Sequence, residues 1–179
     1  MRSEASRRCH IAKLGLPLGA QALARVVEHV WGRRREPPEV YLRGTLPAPT
    51  GIAVVGTRRA TGEALAFTRG LVADLAGAGF SIWSGAARGI DRAAHEAAIQ
   101  AGAPTAIVAP TGLDHPYPAD HADLYRRVVA RGGALISLWP DGSKAKRSQF
   151  LKRNRLLAAL TAATVIVEAP TRSGARSTA

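Results

Sequence analysis

Sulfur, aromatic rings and acid are all scarce in this chain. Among 179 residues there is one cysteine, Cys9, so no internal disulfide can form, and the usage fits a reducing compartment. Phenylalanine, tryptophan and tyrosine number three each, too few to line a long row of base-stacking platforms. No apolar run approaches the ~18 residues of a membrane span, and no apolar stretch of signal-peptide length follows the N-terminal arginines. A cytoplasmic protein without a membrane partner is expected. Enzyme signatures are missing too: there is no G-x-S-x-G, no Walker lysine and no H-E-x-x-H.

What is present is positive charge and a regular alternation of short apolar runs. Lys+Arg number 25 against 13 Asp+Glu, a net charge of +12 with pI ≈ 11.3, which favours a polyanionic partner, nucleic acid before anionic membrane. Residues 1–45 read as a basic extension: an unperiodic start to about Lys13, a helix over 20–31, the run Arg33-Arg34-Arg35, and a short strand at Val40-Tyr41-Leu42. Residues 46–179 read as one α/β domain. Its strands are Ile52–Val55, Phe80–Trp83, Ala106–Val108, Ala134–Leu138 and Val165–Val167, with helices between them. Continuous apolar strands alternating with helices predict a Rossmann-like, doubly wound, mainly parallel sheet covered on both faces. The sequence stops where a further helix is due, so the domain is expected to be cut short at its C-terminal end.

Ligands of such a fold sit beyond the carboxyl ends of the strands. Four loops fall there: Gly56-Thr57-Arg58, Ser84-Gly85, the basic stretch up to Arg155, and Ser173-Gly174. Gly56 allows a tight turn, and Thr61 is placed to cap the helix that follows, so free N–H groups and two arginines point to phosphate. Lys144, Lys146 and Arg147 precede a helix that Ser148 is positioned to cap, and Lys152, Arg153 and Arg155 fall in its first two turns. Cations there oppose the helix dipole by ~0.3–1 kcal/mol each unless an anion neutralises the end. They also read as a solvated face, and Asn154 as a local hydrogen-bonding residue. Asp91, His95 and Glu96 offer acid–base chemistry. The plainer reading, preferred here, makes Asp91 a helix cap and puts His95 at the helix's polar edge. Asp114 and His115 lack further ligands at metal spacing. The first turn is not G-x-G-x-x-G and no acid follows the second strand, so no dinucleotide site is expected; no cofactor, metal or catalytic residue is assigned. Trp83, Trp139, Tyr117 and Phe150 read as core before platform.

Read in order, the motifs become specific. Val54-Val55-Gly56-Thr57-Arg58, Ser84-Gly85-x-Ala87-x-Gly89-Ile90-Asp91 with Ala94-His95, Gly112-Leu113-Asp114 with Tyr117-Pro118, Phe150-x-x-Arg153-Asn154-Arg155, Val167-Glu168-Ala169 and Ser173-Gly174-Ala175-x-x-Thr178-Ala179 follow one another. From about Val40 onward the chain strongly resembles the DNA-processing protein A (DprA, or Smf) family. The resemblance implies an extended Rossmann-like domain that binds single-stranded DNA, protects it in natural transformation, loads the RecA recombinase and commonly dimerises, with no catalysis. It implies phosphate contacts at Arg58, Ser84-Gly85, Lys146 or Arg147, and Arg153 with Arg155; Gly56, Thr57, Asn154, Ser173 and Gly174 complete the expected DNA-binding set. Leu138 and Leu151 depart from the family pattern, which commonly has an acid and a proline there. Dimer and recombinase surfaces lie mostly towards the family's missing C-terminal part. The rival reading is a nucleotide-binding sensor, or an enzyme resembling phosphoribohydrolases. Those carry a P-G-G-x-G-T-x-x-E string absent here, although Glu168 lies at a strand end.

Overall fold

The computed structural model of the protein describes residues 5–10, 28, 39–48 and 50–169. The expected helix over 20–31, except residue 28, and the runs at 33–35 and 173–174 lie outside them. Chain order is β1 (Arg7–His10), β2 (Glu39–Gly44), β3 (Gly51–Gly56), α1 (Gly62–Gly77), β4 (Ser81–Ser84), α2 (Ile90–Gln100), β5 (Thr105–Ala109), a 3₁₀ turn (Ala119–His121), α3 (Ala122–Ala130), β6 (Ala134–Ser137), α4 (Arg147–Leu160) and β7 (Ala163–Val167).

The seven strands form one sheet ordered β1-β2-β6-β5-β4-β3-β7. The neighbours from β6 to β7 are parallel, as their uninterrupted apolar runs require. β2 joins β6 antiparallel, with Leu42 opposite Ile136, and β1 pairs antiparallel with β2. The strand at 7–10 departs from the expectation of an unperiodic, poorly ordered start. Arg-Arg-Cys-His carries no alternation of its own; the ladder to β2 and the Arg8–Glu39 ion pair at 3.1 Å supply the order.

Side-chain alternation along the strands divides the core in two. Ala53 and Val55, with Trp83, Val108 and Ile136, face α4, which buries Leu156, Leu157 and Leu160 against them. Ile52, Val54 and Ile82 face α1 and α2, while Ile107 and Leu135 face α3 through Leu124 and Val128. α4 is thus the helix that crosses to the second face, carrying the chain from β6 back to β7 beyond β3. The strand order reverses between β3 and β7, which puts a crevice at their carboxyl ends.

Thr61 caps α1 as its sequence position predicts, its Oγ1 accepting from the N–H of Ala64 at 3.2 Å. Replacing Thr61 with alanine is expected to cost about 1 kcal/mol of stability, read as a lower urea midpoint at unchanged slope. α4 starts two residues before the expected Gln149, and its cap is Lys146, not Ser148; the Gln149 side chain accepts from the Lys146 N–H. His95 is fully buried and not at a polar edge. The Thr105 hydroxyl spends its hydrogen on the Ile82 carbonyl, so His95 donates through Nδ1 to the Thr105 oxygen at 2.7 Å. Among the described residues no helix is long and apolar enough to cross a membrane.

Candidate nucleic-acid interface

All five parallel strands end on one rim, and the loops leaving it hold most of the residues singled out above. β3 runs into Gly56. A Cβ there would overlap the Val167 carbonyl and the Ile90 side chain, so glycine is what lets β7 and α2 close on the strand end. Thr57 then fixes the loop three ways. Its N–H donates to the Glu168 carbonyl at 3.0 Å, its carbonyl accepts from the Ile90 N–H at 3.2 Å, and its hydroxyl oxygen accepts from the Arg59 N–H at 3.3 Å. Arg58 is left exposed at the tip. Its guanidinium lies 5.5 Å from the centre of the Phe150 ring.

Phe150 belongs to the first turn of α4, just after Lys146 and Arg147, both exposed. The Tyr117 and Phe150 rings meet in a T-shaped pair with centroids 5.2 Å apart, planes at 72°. Tyr117 is 39% exposed and precedes a cis peptide bond to Pro118; its carbonyl accepts from the buried Tyr125 hydroxyl at 3.4 Å. Arg58, Phe150, Tyr117, Lys146 and Arg147 therefore share one stretch of the rim. The aromatic pair corrects the reading of Tyr117 and Phe150 as core. The sequence did not signal this: Phe150 stands three residues before Arg153 and seven before Leu157, in phase with the buried stripe of α4, and only its place in the first turn leaves it at the rim.

The other candidates lie deeper or further away. Ser84 is fully buried and donates its hydroxyl hydrogen to the Val54 carbonyl at 2.7 Å. Gly85 is buried beneath the rim. Arg153, expected among the phosphate ligands, is 5% exposed. Its Nη1 donates to the carbonyls of Gly85 and Val108, and its Nε to Asn154 Oδ1 at 2.8 Å. Arg155 is exposed but five residues past Phe150, about 140° round the helix, and does not join the Arg58 group.

Two carboxylates occupy amides expected to be bare. Glu168, at φ 49, accepts on Oε2 from the Thr61 N–H at 2.9 Å and from its hydroxyl at 3.2 Å, so the start of α1 already holds an anion. Ala86, at φ 57, turns neighbouring N–H groups inward, a nest for an anion. Asp91 fills it, accepting on Oδ2 from Ala87 at 3.2 Å. Burial pushes the Asp91 carboxyl up; the Arg153 charge and the N–H groups of Ala87, Gly56 and Gly85 pull it back. Asp91 thus lies inside the first turn of α2, whose cap is Gly89, and is neither exposed nor a simple cap. α1, α2 and α3 each carry an acid in the first turn, whereas α4 carries none there. Its start is the one cationic helix end among the four. Among the described residues no group of three or more His, Cys, Asp or Glu is placed to hold a metal ion.

A Rossmann-like α/β domain with a cationic, partly aromatic rim at its strand carboxyl ends defines the class. Comparison with known proteins gives the family: the model for DNA recombination-mediator protein A matches residues 24–179, and the chain belongs to that family. It is 46% identical over 132 residues to a Mycobacterium tuberculosis protein described as a DNA processing protein DprA, covering 74% of this chain and 34% of the relative. It is 37% identical over 156 residues to the Smf protein of Synechocystis, covering 84% of this chain and 39% of that one. The chain thus spans between a third and two fifths of the length of these relatives. The X-ray structure of DprA from Streptococcus pneumoniae superposes with a TM-score of 0.78 at 27% identity, over 97% of this chain and 58% of that one. The DprA of Helicobacter pylori, known for its single-stranded DNA binding mode, gives 0.71 at 30% identity, over 83% and 69%.

Proposed function

We propose that this rim holds single-stranded DNA by its phosphates, with Arg58, Lys146 and Arg147 as the cations and Phe150 with Tyr117 as the surface that a base meets. Ser84, Gly85 and Arg153 lie beneath and shape it. Arg155, and Ser173 with Gly174 outside the described residues, extend the contact to a longer strand. The observation that carries this reading is the Arg58 guanidinium set over Phe150 at the head of a helix whose first turn has cations and no acid. A polyanion there relieves the clash between those cations and the helix dipole. The aromatic faces accept any base, so recognition is of the backbone and not of sequence.

The protein acts in this reading as a binding protein and not as an enzyme, in the cytoplasm. Family membership as a recombination mediator supports delivery of the captured strand to a RecA-type recombinase, and action as a homodimer. The nucleotide-sensor and phosphoribohydrolase readings are weaker. In a doubly wound fold a mononucleotide phosphate sits at the switch-point crevice on a helix N-terminus. Here that place holds the Glu168 carboxylate, and the neighbouring amides hold Asp91.

Binding of a labelled oligothymidylate across salt concentrations tests the proposal. Three to four neutralised phosphates give a log–log slope of about −2 to −3 on single strands. A slope near zero, or binding of nucleoside monophosphates with base release, would end it.

A further inference from the structure

Arg153 and Asp91 are charged, buried and absent from the exposed group at the rim, yet they bind backbone at the ends of β4 and β5 that support it. Asp91 accepts from the Ala87 N–H just past β4, and the nearby Gly56 and Gly85 amides at the ends of β3 and β4 favour its ionised form. Arg153 takes the opposite polarity of the same backbone, the carbonyls of Gly85 and of Val108 in β5. Gly85 is held through its carbonyl, and a Cβ on it would overlap the Arg153 guanidinium. Each charge favours the ionised form of the other. Further groups close the hub. His121 donates through Nδ1 to the carbonyl of Ala86 at 2.9 Å, and Asn154 accepts from Arg153 Nε.

From this we infer that Arg153, together with Asp91, is a positioning residue of the DNA-binding rim and contacts no phosphate. The pair locks the turn after β4 against β3 and β5 and seats the first turns of α4, where Phe150 lies one helical turn before Arg153. The inference rests on the proposed DNA reading for its binding consequence, but its structural half stands without DNA.

Two measurements on Arg153→Lys, Arg153→Gln and Asp91→Asn test it. The first is oligothymidylate affinity over a range of salt. A positioning role predicts affinity down about tenfold for Arg153→Gln and Asp91→Asn, part-recovery in Arg153→Lys, and the same log–log slope as the parent chain. A slope shallower by about 0.7 for Arg153→Gln makes it a phosphate ligand and overturns the inference, as does unchanged affinity in a folded variant. The second, made without DNA, is amide hydrogen exchange. Gly56, Gly85 and Ala87 are expected to exchange at least tenfold faster in Asp91→Asn, while the interior amides of α1 keep their rates; unchanged exchange at those three positions overturns it. Should Arg153→Gln not fold, Asp91→Asn carries both measurements, since it removes no cation. A parent chain that binds no DNA refutes the function reading, and hydrogen exchange then decides this one alone.

Discussion

Arg58→Ala is expected to weaken binding of a single-stranded oligonucleotide about 10- to 100-fold near 0.1 M salt. A charge-assisted hydrogen bond to phosphate is worth ~1.5–3 kcal/mol, and 1.4 kcal/mol is a factor of ten. Arg58 is exposed and forms no ion pair among the described residues, so its removal leaves no buried partner unsatisfied and the fold should be unaffected. Two effects add. One phosphate contact goes, and with it about 0.7 of the log–log salt slope. The Phe150 ring also loses the cation that covers it, which frees the ring to rotate against Tyr117. Arg58→Lys separates the two: it keeps most of the slope but not the planar stacking, so affinity should fall between parent and alanine variant. Fluorescence anisotropy at four salt concentrations reads both quantities. Parent-like affinity and slope in Arg58→Ala would remove the centre of the proposed interface.

The sheet was legible because each central strand is apolar on both faces and is followed by a helix with a stop. Such runs admit little besides a covered parallel sheet. Thr61 was legible as a cap because a hydroxyl three residues before a helical amide has one local use. β1 was not legible: Arg7 to His10 becomes a strand only because β2 offers an unpaired edge, and that pairing is between elements far apart in sequence.

At the site, composition located the cations but not their depth. Arg153 and Arg155 look alike in the string, yet one is buried and the other exposed. Helical phase separates them. Arg153, Leu156, Leu157 and Leu160 recur at i, i+3, i+4 and i+7, an apolar-facing stripe that the arginine joins, while Arg155 lies off it. The same phase, Ile90, Ala94, Ala97 and Ala98, carries Asp91 and His95 inward on α2. What no periodicity reveals is that Asp91 and Glu168 fill the amides expected to stay open. That depends on Ala86 and Glu168 adopting left-handed conformations, which sequence preference argues against.

Buried His95 gives the second large expectation, on stability against acid. Burial, then the His121 and Arg153 charges, holds its imidazole down to a pKa of about 3, against 6.5 for an ordinary histidine. The unfolded chain therefore takes up a proton below about pH 6.5 that the folded chain refuses until about pH 3. Stability is fully present above pH 6.5 and falls on acidification through that window, by up to ~5 kcal/mol if the whole shift is expressed. By pH 4.5 the loss is already ~3 kcal/mol, a large share of a typical total of ~5–15 kcal/mol. The window identifies the residue. Asp120, held low first by its hydrogen bond from Arg88, gives up its share only below about pH 4. The raised carboxyl of Asp91 acts with the opposite sign. His95→Asn keeps a donor where Nδ1 stood beside Thr105 but cannot be protonated. Urea unfolding from pH 7 to pH 4.5 should show a steep loss in the parent chain and a nearly flat profile in His95→Asn, even if that variant is less stable at pH 7. A flat parent profile, or an equally steep loss in the variant, would mean that a group other than His95 governs the response.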